Sequence, residues 1–117
     1  MSKLTTWIDV CPLTDIPKNS GVCADLNGKQ VAVFHLNSAK LGNSSEIKAV
    51  ANYDPFGRAN VLSRGLISET DDKYFIASPL LKQQFCLTTG QCEQEQDISI
   101  EVFDARINDG LVQLREG

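Results

Sequence analysis

Residues 75–92 read FIASPLLKQQFCLTTGQC. The aromatic and β-branched start, Phe75-Ile76, gives way to Ser78-Pro79-Leu80-Leu81. A second apolar run follows around Phe85 and Leu87, then Thr88-Thr89-Gly90. Proline fixes φ and removes an N–H, and glycine accepts positive φ, so these residues punctuate the segment into strand, loop, strand and tight turn.

The same grammar extends in both directions. Residues 21–36, GVCADLNGKQVAVFHL, hold Asn27-Gly28 between two strand-like runs. Both residues tolerate positive φ, which predicts a hairpin. In its second arm Val31, Val33 and His35 share one face, and Ala32, Phe34 and Leu36 share the other. Trp7–Val10 predicts a first strand, and residues 11–20 are turn-rich. In residues 46–52 Ile47, Ala49 and Ala51 alternate with Lys48 and Val50. Residues 52–72 are expected to be irregular, with Pro55, Gly57 and Gly65 and a polar tip at 68–72. Residues 97–116 predict a closing hairpin, with Ile98, Ile100 and Val102 on one strand face and a turn at Asn108-Asp109-Gly110. Strands recurring every 8–12 residues without a long helical period indicate an all-β antiparallel sandwich or barrel.

Bulk composition narrows the function. The chain has 117 residues, enough for one domain with a real core, and 1–117 is expected to be a single domain. Its net charge is −4, with no basic run to offset it, which argues against nucleic acid as a partner. No stretch reaches the roughly 20 apolar residues of a membrane span, and no signal-peptide core is visible, so a cytoplasmic protein is expected. Cys11, Cys23, Cys86 and Cys92 are then expected as free thiols. Cys86 and Cys92 flank one turn and could face each other across it as small core residues.

No phosphate-binding loop or dinucleotide fingerprint is present. His35 is the only histidine, in mid-strand, where a structural imidazole is the simpler reading than a catalytic one. The cysteine spacings match no zinc pattern. No catalytic, cofactor-binding or metal-binding residue is therefore assigned to this chain.

Two stretches have to be read together: Asn52-Tyr53-Asp54-Pro55-Phe56-Gly57, and Ser78-Pro79-Leu80-Leu81 with Phe85, Leu87 and Thr89-Gly90 beyond. From about residue 5 to 115 the chain resembles the Rieske iron–sulfur family, which carries Cys-x-His in one loop and Cys-x-x-His in a later one. Asn52 and Asp54 stand at the first spacing, Ser78 and Leu81 at the second. A Rieske cluster needs two thiolates on one iron and two imidazoles on the other, and none of these four residues supplies either.

The combination of Trp7-Ile8-Asp9-Val10-Cys11, Asn-x-Asp-Pro-Phe and Ser-Pro-Leu-x-Lys-x-x-Phe is similar to the small subunit of assimilatory NAD(P)H-dependent nitrite reductase. The resemblance implies an oxidoreductase subunit in nitrate assimilation that lacks the [2Fe–2S] cluster. It implies a large-subunit partner carrying FAD, a [4Fe–4S] cluster and siroheme, which reduces nitrite to ammonium. The alternatives are a free-standing binding or regulatory domain and an electron-carrying Rieske ferredoxin.

Without a cluster, the tip invites two readings. Asp54 before Pro55 suits turn chemistry, with its carboxylate accepting backbone N–H groups and Arg58 within pairing distance along the chain. Phe56, Leu80 and Leu81 either fill the volume a cluster would take or meet a partner. Tyr53, Phe56, Arg58, Leu80, Leu81 and Lys82 are the candidate interface, an apolar centre with a charged rim.

Overall fold

From Val31 to Leu36 every residue is buried, on both faces of one strand. That strand separates two cores, and the molecule is arranged around it. The computed structural model describes residues 6–37 and 44–116. Its strands are β1 (Ile8–Pro12), β2 (Ser20–Leu26), β3 (Lys29–Asn37), β4 (Ser45–Ala51), β5 (Tyr53–Asp54) and β6 (Ala59–Asn60). They continue with β7 (Leu66–Thr70), β8 (Lys73–Ala77), β9 (Gln84–Cys86), β10 (Val102–Asn108) and β11 (Leu111–Glu116). Short 3-10 turns cover Leu13–Asp15 and Leu62–Arg64.

One sheet has six antiparallel strands in the order β1-β11-β10-β4-β3-β2, a second has three in the order β7-β8-β9, and β5-β6 form a small ribbon. The alternation expected for 31–36 holds. Ala32, Phe34 and Leu36 join Val50, Leu62, Ile76, Phe85, Leu87, Cys92 and Ile100 in the core between the sheets. Val31 and Val33 face the other side of the large sheet, in a second core with Ile16, Leu26, Ile47, Ala49, Phe103, Val112 and Leu114. Because each core draws on β3 and β4, ordering one face of these strands helps order the other.

The turns behave as their residues dictate. Asn27 and Gly28 take φ of 53° and 84°, and Asp109 and Gly110 take 54° and 78°. Asp25 Oδ1 accepts the Gly28 N–H at 3.0 Å and closes the first hairpin.

Three expectations are corrected. β1 runs on through Cys11 to Pro12, because it is an edge strand where a missing N–H breaks no ladder bond. Residues 52–72 are not irregular throughout: β5, β6 and β7 lie within them, and only Asp71-Asp72 of the polar tip forms the turn, at φ of 52° and 65°. β7 shows no alternation: it is the outer strand of its sheet, and Leu66, Glu69 and Thr70 are exposed. Finally, the last hairpin begins at Val102, not Ile98. Residues 97–101 are held by isolated contacts, with Cys92 N–H donating to Ile98 C=O and Ile100 N–H to Gly90 C=O.

Candidate functional site

The two loops of the tip are the same turn built twice. Asp54 and Ser78 each precede a proline, Pro55 and Pro79. Each side chain accepts the backbone N–H two residues on: Phe56 N–H to Asp54 Oδ1 at 2.9 Å, Leu80 N–H to Ser78 Oγ at 3.2 Å. Each carbonyl accepts the N–H four residues on, from Arg58 at 2.7 Å and from Lys82 at 3.1 Å. Arg58 and Lys82 both end the turn at positive φ, 57° and 66°. An acceptor side chain, a fixed proline φ and a left-handed exit specify this turn locally.

The twin turns are then bonded to one another. Ser78 Oγ donates to Asp54 Oδ2 with both residues buried. Both carboxylate oxygens of Asp54 are therefore engaged, which is what a buried carboxylate requires. Gly57 leaves room for this closure, since a Cβ there would sit 2.6 Å from Leu80 Cδ1 and 2.9 Å from Asp54 Oδ2.

Asn52 anchors the base. Its Oδ1 accepts the Ser63 N–H at 2.7 Å, and its Nδ2 donates to Asn60 C=O at 3.1 Å and Gln30 Oε1 at 3.3 Å. Its backbone bonds Gln30 and Leu62. Asn52 is buried and ties β3, β6 and the Leu62–Arg64 turn together.

The donor set does not fit a Rieske cluster. The amide of Asn52 and the oxygens of Asp54 and Ser78 are consumed by these internal bonds, and Leu81 has no donor atom. Among the described residues no others substitute for them. His35 is buried on β3, 2.7 Å from Ile16 C=O through Nδ1 and 2.6 Å from Ser45 Oγ through Nε2. A carbonyl only accepts, so Nδ1 carries a proton and donates to Ile16, and both ring nitrogens are held in hydrogen bonds, a structural role. Cys86 and Cys92 do not face each other, because the β-bridge pairs Cys92 with Phe85 and puts Cys86 on the opposite face. Among the described residues no group of three or more His, Cys, Asp or Glu is placed to hold a metal ion.

The candidate interface residues divide. Tyr53, Leu80 and Leu81 are exposed, as are Arg58 and Lys82. Phe56 instead packs inward against the core, its ring 6.2 Å from that of Phe85, and so fills the tip rather than presenting itself. Asp54 and Arg58 form no ion pair: Asp54 is buried and Arg58 exposed, and their link is the backbone bond. Leu66 escaped the sequence reading. It is 78% exposed, the most exposed large apolar side chain among the described residues, and lies opposite Ala77 where β8 enters the Ser78 loop. Arg64 is exposed two residues before it.

Set beside known proteins, residues 6–115 match the model of the Rieske-like [2Fe-2S] domain. The nitrite reductase (NADH) small subunit of Salmonella typhimurium is 43% identical over 112 residues, covering 96% of this chain and 99% of that one. The NMR structure of the Escherichia coli protein NirD superposes with a TM-score of 0.84 at 43% identity, over 96% of this chain and 97% of that one. The nitrite reductase [NAD(P)H] large subunit of Klebsiella oxytoca is 31% identical over 107 residues, which are 91% of this chain but 10% of that polypeptide. A segment like this chain is thus built into that larger protein.

Proposed function

Since the chain belongs to the Rieske-like [2Fe-2S] domain family, with nitrite reductase small subunits as near-full-length relatives, we propose that it is the small subunit of an NAD(P)H-dependent nitrite reductase. It is an oxidoreductase subunit that works with the large subunit in the cytoplasm in reducing nitrite to ammonium. FAD, [4Fe–4S] and siroheme reside in the large subunit, and this chain carries no redox centre. One observation carries that last point: the hydrogen bond between Asp54 and Ser78 takes up the donor atoms of two ligand positions and joins the loops directly. Residues 1–117 form one domain, whose shared β3 and β4 make a single unfolding transition the expected result.

The tip is the contact surface for the large subunit. Tyr53, Leu80, Leu81 and Leu66 supply the apolar centre, and Arg58, Arg64 and Lys82 the cationic rim. Large exposed apolar groups gathered inside a charged border have the anatomy of an interface. Leu80→Asp with Leu81→Asp tests this. Both side chains are about half exposed, so the variant is expected to keep its melting temperature and to stop co-purifying with the large subunit. A folded variant that binds with unchanged affinity removes the tip from the interface.

A further inference from the structure

The six-stranded sheet does not close: β1 and β2 are its two outer strands, and no backbone hydrogen bond joins them among the described residues. Between them lies a cleft of about 380 Å³. Its floor is apolar, formed by Val10, Cys11, Ile16, Val22 and Ala24, which belong to or pack against the second core, that of Val31 and Val33. Its rim carries three carboxylates, Asp9, Asp15 and Asp25.

Among the described residues two of these carboxylates have only neutral hydrogen-bond donors: Gln113 Nε2 to Asp9 Oδ1 at 2.6 Å and Gly28 N–H to Asp25 Oδ1 at 3.0 Å. No lysine or arginine among the described residues pairs with any of the three. The anionic field is felt locally, since burial and then the Asp15 charge push the Cys11 thiol above its ordinary pKa. An apolar slot between two strand edges accepts an extended backbone. An anionic rim selects cationic side chains on it.

The chain ends point to the source of that segment. The described chain enters at β1 and leaves at β11, which pair with each other, Ile8 opposite Leu114. In the Klebsiella polypeptide the remaining nine-tenths must connect at one or both of these ends. Large-subunit backbone therefore passes beside this cleft wherever the two are fused.

We propose that the β1–β2 cleft is a second docking site, which takes an extended, lysine- or arginine-bearing segment of the large subunit as an added strand. This rests on the small-subunit reading above and is separate from the tip. Strand addition supplies partners for the outer edges of β1 and β2, and the basic side chains meet Asp9, Asp15 and Asp25.

The test is hydrogen exchange on the full-length chain, free and in complex with the purified large subunit, together with affinity measured for Asp9→Lys with Asp25→Lys. Amides in 8–12 and 20–26 are expected to gain protection in the complex. The charge-reversed variant is expected to bind at least about tenfold more weakly at low ionic strength, with the gap narrowing as salt rises. A complex that forms with 8–12 and 20–26 unprotected overturns the cleft proposal and leaves the small-subunit reading standing. So does a folded variant of unchanged affinity. Failure of the wild-type chain to form any complex overturns both. If the variant does not fold, wild-type exchange still decides.

Discussion

If the loops are held by the Asp54–Ser78 bond in place of metal ligands, the two residues must be energetically coupled. Asp54→Ala removes two bonds to a buried carboxylate and strands the Phe56 N–H and the Ser78 hydroxyl. Bonds to charged groups contribute about 1.5–3 kcal/mol each, and the lost carboxylate desolvation returns part of that, so a net loss of about 3 kcal/mol is expected. Ser78→Ala leaves the carboxylate one donor short and the Leu80 N–H without its acceptor, at about 2–3 kcal/mol. In the double variant neither orphan of the shared bond remains, so its loss falls short of the sum by about 1–2 kcal/mol. Urea melts followed by far-UV circular dichroism measure all three. Asp54→Ala alone is expected to lower the melting temperature by about 10 °C in a domain of this size. Additivity within about 0.5 kcal/mol, or a cost for Asp54→Ala below about 1 kcal/mol, would refute the reasoning.

Two further outcomes follow from single positions. Gly90 has φ of 79°, and a Cβ there would overlap the Ile100 carbonyl, so Gly90→Ala is expected to destabilise by more than about 3 kcal/mol, measured in the same melts. Burial raises the Cys86 thiol, but the Thr89 hydroxyl and N–H, the Thr88 N–H and Lys73 together reverse this and leave it below its ordinary pKa, whereas Cys11 is raised. A lower pKa means more thiolate at a given pH, so the pH–rate midpoint for iodoacetamide alkylation should lie lower for Cys86 than for Cys11, read by peptide mass spectrometry.

Where structure is set by neighbouring residues, it was legible. Asn27-Gly28 and Asn108-Asp109-Gly110 carry their turn geometry in their own φ preferences, and the alternation through 31–36 marks both faces of β3 correctly. The turn role of Asp54 was readable from Asp-Pro. What depended on residues far apart was not. Ser78 lies 24 positions from Asp54, and nothing local says that their side chains bond. Phe56 and Leu80 look alike as apolar loop residues, yet one stacks near Phe85 and the other lies over Gly57 toward solvent. Leu66 lies in a stretch that reads as irregular, and only the pairing of β7 with β8 alone shows it on an outer strand. The facing of Cys86 and Cys92 turned on register, and a one-residue offset reverses a side chain's face.

The central claim is that a chain without a cluster serves the large subunit. Its most direct test is nitrite-dependent NAD(P)H oxidation by purified large subunit, titrated with this chain after iron and acid-labile sulfide have been assayed in it. The account predicts that iron-free chain raises the rate to a plateau reached at a fixed ratio of the two proteins. A rate unaffected by the chain, or raised only after the chain is loaded with iron and sulfide, would contradict it.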